Sequence, residues 1–206
     1  MDRNVSIYWI RQDLRLHDNP ALKAAVNNGA IVPIYILDDI NSGEHKLGSA
    51  SRIWLHHSLE KLNKQFKNKL HFFNADPLKI ISEICETEKI NKVFWNRVYE
   101  PWSIQRDKKI KETLNLKGIE TNSFNGSLLW EPWEVLKNDG TPYRVFTPYY
   151  RRGCLNAVGP RIPTKAPQKI QYYEFQKIKS LDIESLNLLP THNWKNKIIK
   201  KWNVGE

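Results

Sequence analysis

Only two cysteines, Cys85 and Cys154, occur in the 206 residues. So sparse a pair excludes a disulfide-rich secreted scaffold, matches no metal-ligand spacing, and fits two thiols in a reducing compartment. Long hydrophobic runs are also missing. None approaches the ~20 residues of a membrane-spanning helix. The short apolar run in MDRNVSIYWIRQD is followed at once by charge, unlike a secretory signal. A soluble, cytoplasmic protein with no membrane partner is therefore expected. Glycine fingerprints are absent too: RQDLRLHDN, after the first apolar run, contains neither GxGxxG nor a P-loop, which argues against the usual NAD or ATP site. No Ser/His/Asp arrangement stands out and there are no internal repeats. His56 and His57 are neighbours on an expected helix, so they should point to different faces and not share a metal.

What is present in excess is positive charge, a formal +10. That admits phosphate-bearing partners, although a Lys-, Asn- and Ile-rich composition explains part of it. Lysines are scattered along helical stretches, as on a solvated face. Arginines fall inside tight motifs, among them Arg11, Arg15, Arg52, Arg97 and Arg106. The guanidinium is a rigid fork of donors suited to carboxylates, phosphates and ring carbonyls, so the arginines carry more functional weight.

Apolar patterning predicts strands at 4–10, 30–37, 69–76, 91–96 and 119–125. Helices are predicted at 19–29 (capped by Asp18 or Asn19), 49–67, 77–89 (capped by Asp76) and 103–118. Strands alternating with helices over short connections imply an α/β fold, a doubly wound five-stranded parallel sheet of Rossmann-like type. Ligands of such sheets sit beyond the carboxyl ends of the strands, where the strand order reverses. The candidate segments are therefore Arg11–Asp18, Asp38–Arg52 and Asn96–Trp102. Residues 1–130 should form the α/β domain. The aromatic-rich 131–160 should pack on it, and 161–206 should be an extended linker with little core of its own.

Four charged side chains, Arg11, Asp13, Arg15 and Asp18, arrive within eight residues of the first strand's end. Arg11 with Asp13, and Arg15 with Asp18, could satisfy one another and fix the loop. Asp38 and Asp39 could cap the turn after the second strand or face a ligand. Glu100, between Tyr99 and Pro101-Trp102, suits an N–H-rich ring, but equally an ion pair with Arg97 or Arg52.

The stretch RQDLRLHDNPAL (11–22) resembles the N-terminal signature of the DNA photolyase and cryptochrome family. LGSASRIWLHHSLEKL (47–62), VFWNRVYEPW (93–102), FNGSLLWEPWEV (124–135) and PYRVFTPYYRR (142–152) agree, in order and spacing. The wording WLHHSL and NGSLLWEPWE is most similar to bacterial class III cyclobutane pyrimidine dimer photolyases. The resemblance implies an antenna domain that absorbs light and passes the excitation to FAD in a separate helical domain. That domain, in the same chain or a second one, would handle damaged DNA and split the dimer. Val204 stands where the family has the proline of a similar PGE opening the helical domain. This chain, expected to be monomeric, should thus hold the antenna domain and linker, with FAD elsewhere. The alternatives are a cryptochrome sensor half or a stand-alone nucleotide-binding α/β domain.

Family antennae are 5,10-methenyltetrahydrofolate, a deazaflavin or a flavin such as FMN. The Asn-Glu pair that holds folate in class I enzymes is matched here by Trp102 and Ser103, and the acidic residue of deazaflavin binders by Val98. The class III resemblance favours folate. The implied lining is Leu37 and Asp38 after the second strand, Gly48, Ser49 and Arg52 at the start of the long helix, and Arg97, Glu100 and Trp102 after the fourth strand. Arg11 could also face the ring.

Overall fold

Alternate side chains of the strands supply two separate apolar faces. The computed structural model describes residues 4–191, 194, 199–200 and 202–206. Its strands are β1 (Val5–Ile10), β2 (Ala30–Leu37), β3 (His71–Asn74), β4 (Lys92–Asn96) and β5 (Glu120–Phe124). They form one parallel sheet in the order β3-β2-β1-β4-β5. The crossovers are α1 (Pro20–Asn28), α2 (Ser49–Gln65), α3 (Pro77–Glu88) and α4 (Pro101–Leu116). Tyr8 and Ile10 pack with Leu22 of α1 and Leu55 and Leu59 of α2. Ile7 and Trp9 pack with Ile81 and Ile84 of α3 and with Ile110 and Leu114 of α4. The two-residue side-chain period of a strand makes that division. Each large apolar side chain so buried contributes roughly 1.5–3 kcal/mol.

The helix starts follow capping chemistry. Asn19, not Asp18, caps α1, its side chain accepting from the Leu22 amide at 3.0 Å, and Pro20 opens the first turn. Asp18 instead adopts a positive φ of 48°. Asp76 caps α3 ahead of Pro77. Helix α4 begins at Pro101, two residues before the predicted Ser103, because proline's fixed φ suits the first helical position. Pro33, inside β2, loses no ladder bond to β1. The Ile31 amide donates away from β1, to Gln171 O at 2.8 Å, so Pro33 two residues on faces the same way. Pairing with β3 starts only at Ile34.

Residues 161–191 run along the α/β unit and complete it. Ile31 bridges to Tyr172, Phe72 bridges to Leu181, and Leu186 and Leu188 are buried in the cluster under α1 and α2. Glu88, at the end of α3, accepts from the amides of Gln176 (3.1 Å), Lys177 (2.8 Å) and Ile178 (3.0 Å) and from the Tyr173 hydroxyl (3.1 Å). Burial alone would raise its pKa; these donors outweigh it and hold the carboxyl below its ordinary value of 4.5. A depressed folded pKa gives stabilisation that is present above 4.5 and lost as pH falls through the folded value. Amide protection at 176–178 is therefore expected to fall below about pH 4 while β1 stays protected. Hydrogen exchange followed from pH 7 to acid checks this, and unchanged protection at 176–178 would contradict it.

Candidate functional site

The loop after β1 is built on Asp13. Its carboxylate accepts from the Arg11 amide (3.1 Å), the Tyr8 hydroxyl (3.0 Å), Asn96 Nδ2 (2.6 Å) and Asn19 Nδ2 (3.1 Å). Burial, reinforced by Asp13, holds the Tyr8 pKa well above its usual value. The expected side-chain pairs of Arg11 with Asp13 and Arg15 with Asp18 do not form. Arg11 crosses to Asp107 of α4 at 2.5 Å and to the Asn96 carbonyl. Arg15 donates to the carbonyls of His17, Asp18 and Gly126, and the Asp18 carboxylate pairs with Arg161. A short Asp reaches backbone amides close by; a long Arg at a strand end reaches the neighbouring helix instead.

Beyond the carboxyl ends of β1, β2 and β4, a cleft of about 340 Å³ opens where the strand order reverses. Trp9, Arg11 and Gln12 enter it from β1 and its loop, and Tyr35 to Asp39 from β2. Val98 and Glu100 follow β4, and Pro101, Trp102, Ser103 and Arg106 belong to α4; Ser42, His45 and Leu47 complete the rim. The cleft sits against a chain of ion pairs: Arg11 with Asp107 (2.5 Å), Asp107 with Arg106 (2.9 Å), and Arg106 with Asp38 (2.9 Å). Arg52 pairs with Asp39 at 2.6 Å.

Of the predicted ligand residues, Arg11, Leu37, Asp38, Glu100 and Trp102 meet in this cleft. Gly48, Ser49, Arg52 and Arg97 do not line it. Gly48 is the cap residue of α2, Ser49 begins the helix on the exposed side, and Arg52 is held by Leu47 O and Asp39. Arg97 turns to Glu131 and to the Ser123 carbonyl at 2.5 Å. Glu131, 3% exposed, also accepts from the Tyr99 hydroxyl at 2.8 Å. Burial, with Glu131 adding to it, pushes the Tyr99 pKa up to about 12. Neither arginine proposed as a Glu100 partner therefore reaches it.

Glu100 receives the Gln12 amide on Oε1 at 2.6 Å, while Oε2 is buried with no hydrogen-bond partner among the described residues. Burial would raise its pKa, but the Gln12 bond, donors at the start of α4 and the Arg11 charge bring it below the ordinary value, so the group is ionised at neutral pH. Ser42 Oγ, at the rim, is likewise buried and unpaired. The prediction missed Trp9, Gln12 and Arg106 as cleft residues. The spacing of Trp102 with Arg106, four apart on a helix, was the available signal, since such residues share a face.

Away from the cleft, His56 and His57 do approach one another, contrary to expectation. Glu60, one turn on, reaches His57 Nδ1 at 2.7 Å and His56 Nε2 at 3.7 Å. Their candidate ligand atoms lie within 4.8 Å of one another. Adjacent helical side chains diverge at Cβ, but one carboxylate can span both rings. Cys85 and Cys154 are buried free thiols, and burial lifts the Cys85 pKa to about 12.

A family model described as DNA photolyase matches residues 6–168. The chain belongs to the DNA photolyase family. It is 34% identical over 205 residues to a deoxyribodipyrimidine photo-lyase of Agrobacterium fabrum, covering 97% of this chain and 42% of that protein. It is 33% identical over 169 residues to cryptochrome-1 of Arabidopsis thaliana, covering 80% of this chain and 25% of that protein. The crystal structure of a bacterial class III photolyase from Agrobacterium tumefaciens superposes with a TM-score of 0.89 at 32% identity. That match covers 100% of this chain and 42% of the other. This photolyase-family chain thus spans less than half the length of these relatives, and no helix of its described residues is long and apolar enough to cross a membrane.

Proposed function

We propose that the chain is the light-harvesting part of a class III-type photolyase, and that the cleft beyond β1, β2 and β4 holds its antenna chromophore. The observation that carries this is Glu100. Among the side chains of the cleft and their ion-pair partners, three guanidiniums (Arg11, Arg52, Arg106) meet four carboxylates (Asp38, Asp39, Asp107, Glu100). Glu100 is the carboxylate left without a guanidinium partner: the Gln12 amide reaches Oε1, the Ser103 hydroxyl and the backbone at the start of α4 help to keep it ionised, and Oε2 has no geometric hydrogen-bond partner among the described residues. A half-buried anion with only neutral partners and one shielded oxygen favours a ring that brings N–H donors or positive charge.

All three ligands carry anionic tails, carboxylates in the folate and phosphate in FMN, but the ring of 5,10-methenyltetrahydrofolate is cationic and carries an amino group, whereas the flavin ring of FMN is neutral. The folate therefore fits better. Trp102 offers a flat face, Leu37 and Val98 apolar walls, and Glu100 and Ser42 unpaired polar atoms. When bound, the chromophore would absorb near-UV or blue light and pass the excitation on. The chain's own residues bind and orient the ring and exclude water from one side of it. FAD, the contacts to damaged DNA and the splitting of the pyrimidine dimer are proposed for a helical domain outside these residues, whether in the same polypeptide or a second chain. The match of the whole chain to a bacterial class III photolyase structure at 32% identity supports repair over signalling.

Fluorescence titration of the chain with the folate, a deazaflavin and FMN tests the proposal. Glu100→Gln keeps the shape and removes the charge, and should weaken folate binding by about 1–3 kcal/mol, or roughly 5- to 150-fold. Unchanged affinity in the variant would remove Glu100 from the site.

A further inference from the structure

Three cations sit over the tryptophans at the carboxyl end of the sheet. Arg106 lies over Trp9 at 5.1 Å from the ring centre and over Trp102 at 5.0 Å. Arg11 lies over Trp9 at 4.6 Å, and Lys111 over Trp95 at 5.6 Å. Trp9 and Trp102 both line the cleft. Cation–π attraction accounts for the stacking, but the same contacts have a consequence for any light-absorbing ring bound beside them.

Indole is among the most easily oxidised side chains. An excited heterocycle in contact with a bare indole can take one electron from it. The indole becomes a radical cation, the ring gains the electron, and the excitation is lost when the electron returns. No other reactant is needed. A fixed positive charge near the indole face opposes a second positive charge forming there, and does so strongly where water is excluded. Asp38 and Asp107 pair with Arg106 and offset part of its charge, but the guanidinium itself lies over both rings, its carbon 5.1 Å and 5.0 Å from their centres. Trp9 has a second protection. Its Nε1 is buried and makes no hydrogen bond among the described residues. An oxidised Trp9 would have no acceptor there for its proton, so loss of that proton could not draw the oxidation forward.

We propose that Arg106 is an electrostatic guard of the cleft, a positioning residue whose charge keeps Trp9 and Trp102 from quenching a bound, excited ring by electron donation. This rests on the chromophore-binding function proposed above. The test uses the full chain loaded with 5,10-methenyltetrahydrofolate, recording affinity and fluorescence lifetime separately. Arg106→Gln should shorten the lifetime of the bound folate by about threefold or more, because the opposing charge is gone. Arg106→Lys, which keeps the charge, should recover most of it. Adding Trp102→Phe to Arg106→Gln should also lengthen it, because the phenyl ring is a poor electron donor. Equal lifetimes in the parent and Arg106→Gln, with binding intact, would overturn the guard role and leave the binding function standing. A shortening that neither Arg106→Lys nor Trp102→Phe relieves would come from a loosened cleft and would overturn it as well. Failure of the parent chain to bind the folate, a deazaflavin or FMN would overturn both.

Discussion

Replacing Asp13 by alanine is expected to destabilise the protein by about 3–5 kcal/mol, a large part of the 5–15 kcal/mol typical of a domain. The carboxylate is 4% exposed and receives four donors. Three of them, the Tyr8 hydroxyl, Asn96 Nδ2 and Asn19 Nδ2, come from residues at most 1% exposed. Each buried donor stranded by the substitution costs roughly 1–3 kcal/mol, and the losses do not simply add because the side chains share partners. Asp18→Asn is the contrasting case, because asparagine tolerates the positive φ and keeps an acceptor for the Thr164 amide while removing the charge. The Asp18 carboxylate pairs with Arg161 near the surface, where such a pair contributes about 1 kcal/mol or less. Urea unfolding of both variants, followed by circular dichroism and tryptophan fluorescence, measures the difference. Equal, small losses would mean that the Asp13 network is not the structural centre of the loop.

Gly126→Ala is expected to cost about 2–4 kcal/mol, combining overpacking with a disturbed buried hydrogen bond. A methyl group there would lie 2.5 Å from Asn96 Cγ and 2.8 Å from Asn96 Oδ1. Asn96 cannot step aside without loss: it donates to Asp13 at 2.6 Å and to Asn19 Oδ1 at 2.8 Å, and accepts from the Ala21 amide at 3.2 Å. In a chain of this size the loss corresponds to a melting temperature lower by roughly 5–15 °C. Gly159→Ala, where an added methyl meets nothing within 4 Å, should change the melting temperature little. Equal melting temperatures for the two variants would show that Asn96 has more room than its contacts indicate.

These two substitutions also mark where the sequence was legible. That the loop after β1 carries structure as well as charge follows from four charged residues in a row of eight; which partners they choose does not. Arg11 meets Asp107 across 96 residues and Arg15 meets Gly126 across 111. The cleft's position follows from strand alternation; four of its lining residues were named from segments that follow strands, and Leu37 from the end of a strand. Arg52 and Arg97 lie in motifs beside aromatics and nothing in their spacing marked them as outside the cleft, whereas Arg106 carried the signal of Trp102 four residues before it. Only folding shows that Asp39 and Glu131 engage the first two while Arg106 reaches the cleft. Leu186 and Leu188 lie in a stretch too short and polar to suggest a core of its own. Their burial depends on a surface that the α/β unit provides.

The sequence by itself determined the element types, their alternation, the parallel doubly wound sheet and the family. Those rest on periodicity, on capping residues such as Asn19 and Asp76, and on motifs a few residues long, all of them local. The tertiary structure decided which charges neutralise each other, that Glu100 is left with a bare oxygen, and that Arg106 lies over Trp9 and Trp102. Those outcomes depend on distances between residues far apart in the chain. A carboxylate's surroundings, and hence its charge and its demand for a partner, are set by which helices and strands close around it.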